Sequence, residues 1–180
     1  MAGNLHAVRN KEALTAEFPT TVHPITGEIN LKELIRLWQH IKSCAQQTET
    51  NYGHQNWLFC VLPQPLWPYF SGRPYPAPPG DPGPNPSYNH GQDALHNTTI
   101  RDTWQLENKH FEEHKHINAA MRDRFLKLIP ESNRNAYIDG HLTANPKMTF
   151  RQVFDYFWEQ FGIATEDNIV DNVATLLNSW

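Results

Sequence analysis

The sequence predicts an all-α fold: a compact bundle of about six helices, interrupted by a long proline-rich loop. Two patterns and one compositional fact predict it. Apolar residues recur at three- and four-residue spacing in several windows, and helix-capping residues stand just ahead of them. Prolines crowd a single stretch near the middle and punctuate the helical pattern there. The 180 residues include 6 Trp, 9 Phe and 6 Tyr. Rings at that density are costly to leave in water, so a packed core is expected although only 39% of residues are hydrophobic.

Residues 1–29 read as an N-terminal arm, because Leu14, Phe18, Val22 and Ile25 follow no sustained period and Pro24 to Gly27 reads as a turn. The first helix follows Asn30, a good N-cap, with Glu33 placed as in a capping box. Its buried face is Leu31, Leu34, Ile35, Trp38, Ile41 and Ala45, while Arg36, Gln39, His40 and Lys42 fall on or near the other face. The run from Gly53 to Leu62 fits a short helix better than a buried strand, although Trp57 to Leu62 is continuously apolar. Pro65-Leu66-Trp67 opens one more helical turn, with Phe70 pointing inward and Gly72 as its stop. These elements form an N-terminal helical segment over 30–72.

Arg73 to Pro86 holds seven prolines and two glycines. It can be neither a regular helix nor a central strand, and reads as an extended, partly polyproline II loop over 73–95. The C-terminal helical segment, 96–180, starts with a long helix capped at Thr98 or Thr99 and running towards Lys127. Ile100, Trp104, Phe111, Met121, Phe125 and Leu128 mark its stripe. Glu131 to Ile138 adds two turns closed by Gly140. The clearest helix follows, with Thr149 and Gln152 as a capping box, a buried face of Phe150, Val153, Phe154, Phe157, Trp158 and Phe161, and Gly162 as its stop. Thr165 caps a last helix with Ile169, Val170, Val173, Leu176 and Leu177 as its stripe. Residues 30–180 are expected to form one domain. The abrupt stop at Trp180, without a closing glycine or tail, points to a piece of a longer protein.

The formal charge of −4 argues against a domain that wraps nucleic acid over a basic face. The ten His residues would carry the chain towards neutrality near pH 6. Two cysteines, Cys44 and Cys60, are too few for a disulfide scaffold or a cysteine zinc site, and both fall in apolar settings where a buried free thiol is the expectation. Residues 1–18 lack the apolar core of a signal peptide, and no run approaches the ~18 apolar residues of a membrane span, so a cytoplasmic location is expected.

Few motifs carry chemistry. His110-Phe111-Glu112-Glu113-His114 fits H-x-x-E-H, in which two His one turn apart share a zinc ion beside a glutamate base. A third ligand has no recognisable motif, and a solvated helix face explains the same residues. Thiol-enzyme, serine-nucleophile and phosphate-loop patterns are absent, and no cofactor is implied. Arg73, Pro76 and Pro79 match the basic-P-x-x-P spacing that SH3-type grooves read, which supports an adaptor reading. Arg122, Arg124 and Lys127 are candidate phosphate contacts, diluted by Asp123 and Glu131.

The order of motifs from Ile100 to Leu177 resembles the Gag-like proteins of copia-type LTR retrotransposons, most closely those of diatoms and other algae. The resemblance rests on Phe111, Asn118-Ala119-Ala120-Met121, Leu128-Ile129-Pro130, Tyr137, Met148-Thr149-Phe150, Val153, Phe157 and Phe161-Gly162. The Leu31–Ala45 helix, the Trp57–Leu62 run and the proline-rich connector appear in the same order upstream. The resemblance implies a capsid-like helical fold without enzymatic activity, which self-associates into particles around element RNA. The chain lacks the Cys/His zinc knuckle of longer relatives. RNA contact is therefore expected through regions outside it, and its own self-association is expected to be weak.

Overall fold

A computed structural model describes residues 8–50, 56–88 and 90–162. The helix expected after Thr165 and the side chain of Phe70 lie outside that description. The protein is all-α: seven α-helices and one 3-10 turn are present among the described residues. None of these helices is long and apolar enough to cross a membrane.

The first helix, α1 (Lys11–Ala16), lies in the stretch expected to be an arm. Asn10 caps it, accepting from the Ala13 amide at 2.8 Å. Leu14, Phe18, Ile25 and Ile29 are all buried in the core. The extended chain between α1 and the next helix is bonded along its path. The Pro19 carbonyl accepts from Arg124, the His23 carbonyl from Arg36, and the Ile25 amide donates to the Leu128 carbonyl at 2.9 Å. The segment is thus part of the body. Each of its apolar residues is inserted singly, which leaves no period in the sequence.

Helix α2 (Leu31–Gln47) has the predicted Asn30 cap and buries the whole predicted face. Glu33 does not reach back to close a capping box; it pairs with Arg36 one turn on. Leu37, His40 and Cys44 are buried too, so the covered arc is wider than the predicted stripe and His40 belongs to it. Trp57 to Leu62 forms no strand, and its helix is a 3-10 turn and not an α-helix. A single 3-10 turn, Leu58–Cys60, lets all six residues be buried at once. Helix α3 (Trp67–Ser71) follows, with Pro68 in its first turn and Gly72 at φ +59°, a conformation glycine adopts without a Cβ penalty.

Helix α4 (Ala94–Leu128) is 35 residues long, about 52 Å at 1.5 Å per residue. Its cap is Asp93, which accepts from the His96 amide at 2.7 Å. Thr98 and Thr99, the predicted caps, lie inside it and donate their hydroxyls to the Ala94 and Leu95 carbonyls. Two short helices, α5 (Glu131–Tyr137) and α6 (Asp139–Ala144), follow, and Gly140 is inside α6 instead of ending α5. Helix α7 (Phe150–Phe161) carries the predicted capping box of Thr149 and Gln152. Its Phe150, Val153, Phe154 and Phe157 are buried, while Trp158 and Phe161 are half-buried.

Helices α1, α2 and α7 all pack on α4, and α2 also packs on α7. Phe125 of α4 is the hub. It is fully buried, with the rings of Phe150, Phe154 and Phe157 edge-on at 5.6, 5.9 and 5.6 Å. Phe125→Ala should therefore lower the unfolding free energy by about 3–5 kcal/mol in urea titrations. Leu95→Ala, on the exposed first half of the same helix, should leave it within about 0.5 kcal/mol.

Candidate association surface

The two halves of α4 have different surroundings. All its buried residues lie between Glu113 and Leu128. From Ala94 to Lys109 no side chain is buried; Leu95 is 76% exposed, Leu106 48% and Ile100 42%. The predicted stripe therefore holds at Met121, Phe125 and Leu128 and fails at Ile100, while Trp104 and Phe111 are only half-buried. Helical geometry separates the exposed apolar residues into two faces. Leu95 and Leu106 are eleven residues apart, within about 20° of each other around the axis, and Ile100, Trp104 and Phe111 lie roughly opposite.

The proline-rich loop passes the Trp104 side. The Trp104 indole donates to the Gly83 carbonyl at 3.0 Å, and Pro79 and Asp81 face Phe111 and Lys115 across a cleft. Gly83 has φ +75°, and its amide donates to the Asp81 carboxylate at 2.8 Å, closing a tight turn. At the other end of the loop the Trp67 indole donates to the Pro74 carbonyl at 3.0 Å, and the Tyr75 hydroxyl to the Phe59 carbonyl at 2.8 Å. Of the three residues expected to bind a partner groove, Arg73 is exposed, Pro76 is buried and Pro79 is half-buried against the cleft. An SH3-type groove has to grip both prolines, and the chain itself covers them. The Leu95–Leu106 side has no such cover among the described residues.

The H-x-x-E-H residues do not converge on a metal site. Glu113 is 1% exposed, and its carboxylate is bonded by the Arg9 guanidinium, which also reaches Glu17 at 3.1 Å and the Glu49 carbonyl. Those bonds to Glu113 and Glu17 outweigh the burial of Arg9, which alone would lower its pKa, and hold the guanidinium above its ordinary value. The His114 ring stacks with Phe59 and Trp57 at 5.9 and 6.2 Å, and its Nε2 accepts from Asn118 at 3.1 Å. No three His, Cys, Asp or Glu side chains come together to hold a metal ion among the described residues. Arg9, on the supposed arm, was not legible as Glu113's partner because 104 residues separate them.

The candidate phosphate contacts do not form a patch either. Arg122 donates to the Pro146 and Met148 carbonyls at 2.7 and 3.0 Å and pairs with Asp123, holding the turn before α7. Arg124 donates to His40 at 3.2 Å and to the Pro19 carbonyl at 3.3 Å. Lys127 alone is exposed. Cys44 and Cys60 are free and buried. Burial pushes the Cys44 thiol up to about 12, and raises that of Cys60 as well.

Removing Arg9 strands the Glu113 carboxylate in the interior. Arg9→Ala should cost about 1–3 kcal/mol, and Glu113→Leu in that background should restore part of the loss in chemical denaturation. Two histidines, His40 buried and His114 half-buried, shape the acid limb of stability. Burial lowers His40 to about 4, helped by the charges of Arg124 and Arg36, and burial lowers His114 to about 4. Between their ordinary value of 6.5 and about 4 the unfolded chain binds protons that the folded chain does not. Stability is thus constant above this window and is lost as pH falls through it. Urea midpoints from pH 7.5 to 4 should show this slope, shallower in His40→Gln. Comparison of the chain with protein-family models, with curated proteins and with solved structures gives no match.

Proposed function

We propose that the chain is a non-enzymatic assembly module, of the kind that builds the capsid-like shell of a retrotransposon Gag, and that it self-associates through the first half of α4. One observation carries the reading: along about 19 residues of continuous helix, Ala94 to Glu112, no side chain is fully buried in its own chain, and the Leu95–Leu106 face is uncovered among the described residues. Such a stretch extends a helix already nucleated by its packed half, so it is held only by propagation, which in water is marginal for ordinary sequences. Its sequence makes matters worse, since Asn97, Thr98, Thr99, Asp102 and Thr103 are all poor helix formers. Packing against another surface supplies what the sequence lacks.

The Leu95–Leu106 face suits a second copy of itself. In an antiparallel pair with its two-fold axis between Ile100 and Arg101, Leu95 of each copy lies opposite Leu106 of the other, and Thr99 lies opposite Asp102. Two leucine contacts on either side of a polar centre make a small, weak interface, which gains strength when many copies present it together. Element RNA is the cargo this reading assigns to the particle. Arg122 and Arg124 are tied into the fold, so RNA contact falls to other regions.

Light scattering behind a sizing column, over micromolar to millimolar protein, tests the proposal. The expected result is a mass that climbs with concentration, a climb that Leu95→Asp with Leu106→Asp removes while Phe125→Ala leaves it in the folded fraction. A monomer mass at every concentration, with and without single-stranded RNA, overturns it.

A further inference from the structure

We propose that the proline-rich loop is a strut whose bond to Trp104 keeps the first turns of α4 helical, and that it thereby controls presentation of the Leu95–Leu106 face. The second clause rests on the assembly reading above; the first does not.

Burial along the loop repeats every three residues. Pro76 is buried and Pro79 and Pro82 are half-buried, while Pro74, Ala77, Pro78 and Gly80 are exposed. That repeat is the repeat of a polyproline II helix, so one side of the loop faces the body from Pro76 to Pro82. Such a segment is semi-rigid, unlike a loop of ordinary composition. Its near end is fixed: Tyr75 donates to the Phe59 carbonyl, and Pro74 accepts from the indole of Trp67, a core residue. At its far end the turn closed by Asp81 presents the Gly83 carbonyl to the Trp104 indole at 3.0 Å. A fixed point on the body is thus carried out to the exposed half of α4.

The bond falls where the helix needs it. It joins residues 21 apart in the chain and encloses Ala94 to Thr103, about three turns of α4. These turns hold Asn97, Thr98, Thr99, Asp102 and Thr103, all weak helix formers, and no fully buried side chain. Here the helix persists by propagation from its packed half, a balance with little to spare. Fraying past Trp104 has to break the bond. Fraying short of it gains less entropy, because the freed residues stay tied at both ends. One hydrogen bond shifts such an equilibrium about fivefold.

Hydrogen exchange on the full chain, at low micromolar protein, tests the strut. Trp104→Phe removes the indole N–H and keeps a ring of similar helix propensity. The expected result is amide exchange about fivefold faster from Thr99 to Leu106, with rates from Ile117 to Leu128 unchanged. Adding Thr98→Ala and Thr103→Ala, which raise helix propensity at two exposed positions, should return most of the lost protection without restoring the bond. In light scattering the mass of Trp104→Phe should climb only at higher concentration than that of the parent chain. Unchanged exchange from Thr99 to Leu106 overturns the strut. So does an equal acceleration from Ile117 to Leu128, which would make Trp104 an ordinary contributor to the core. Local acceleration with rescue, in a parent chain that stays monomeric at every concentration, upholds the strut and removes the assembly reading. A parent mass that climbs, with exchange unchanged in Trp104→Phe, does the reverse.

Discussion

Among the described residues only the second half of the longest helix, α4, is buried, and much of the architecture is organised around that half. From Glu113 onward α4 is the floor on which α1, α2 and α7 are laid. Ahead of Glu113 the same helix continues without a core. Glu113 marks the change: a carboxylate at 1% exposure, where the buried face begins, tolerable because Arg9 is brought to it. A buried charge of this kind contributes little net stability, since desolvation offsets the attraction. It does fix position. Arg9 has to lie over the middle of α4, and the Glu17 carboxylate and the Glu49 main-chain carbonyl then accept from the same guanidinium. Lys11, two residues on, reaches Asp123 at 2.9 Å, one helical stretch further down. Residues 8–30 are thereby stapled along α4, and Leu14, Phe18 and Ile25 are buried in the shared core.

The proline-rich loop bears on the other half. A loop of this length without regular structure is costly unless something holds it. Proline lowers that cost by restricting the unfolded chain, and Tyr75, Trp67 and Trp104 each spend their one polar hydrogen on a carbonyl, of Phe59, Pro74 and Gly83 in turn. The loop then covers one flank of the exposed half of α4. Its polyproline character serves the fold: Pro76 is buried in the chain's own surface, so a sequence that looks like a ligand works as a strap. The match of Arg73, Pro76 and Pro79 to a ligand spacing was real, but spacing says nothing of which side of a polyproline helix is covered.

How far the sequence could be read depended on whether the signal was local. The α2 face, the Asn30 cap, the Gly72 stop and the Thr149–Gln152 box are all set within four residues along the chain, and all are present. Trp57 to Leu62 was legible as buried but not as a 3-10 turn, because a run that is apolar on every side has no period to read. The start of α4 was displaced because Thr98 and Thr99 resemble caps, and Asp93 does the work five residues earlier. What could not be read was partnership at a distance: Arg9 with Glu113, Arg124 with His40, Arg122 with the carbonyls before α7. Each of these residues has a plausible solvent-facing or functional reading in sequence, and each is used structurally.

The surface that remains was visible in part. Leu95 and Leu106 stand eleven residues apart, an interval that returns a helix to nearly the same angle, yet they fall outside the stripe that runs through Met121 and Phe125. A helix with two apolar directions, one of which changes with position along it, cannot satisfy both inside one small core. The direction shared by Met121, Phe125 and Leu128 wins because three other helices meet it, and the strap meets the Trp104 side. Leu95 and Leu106 are the residue of that competition, and their exposure follows from it before any partner is considered. Because the helix under them is built from poor helix formers, its persistence and its coverage are coupled. A partner that covered the face would also stabilise the helix that presents it, so in the proposed association binding and stabilisation of this half of α4 would be one equilibrium.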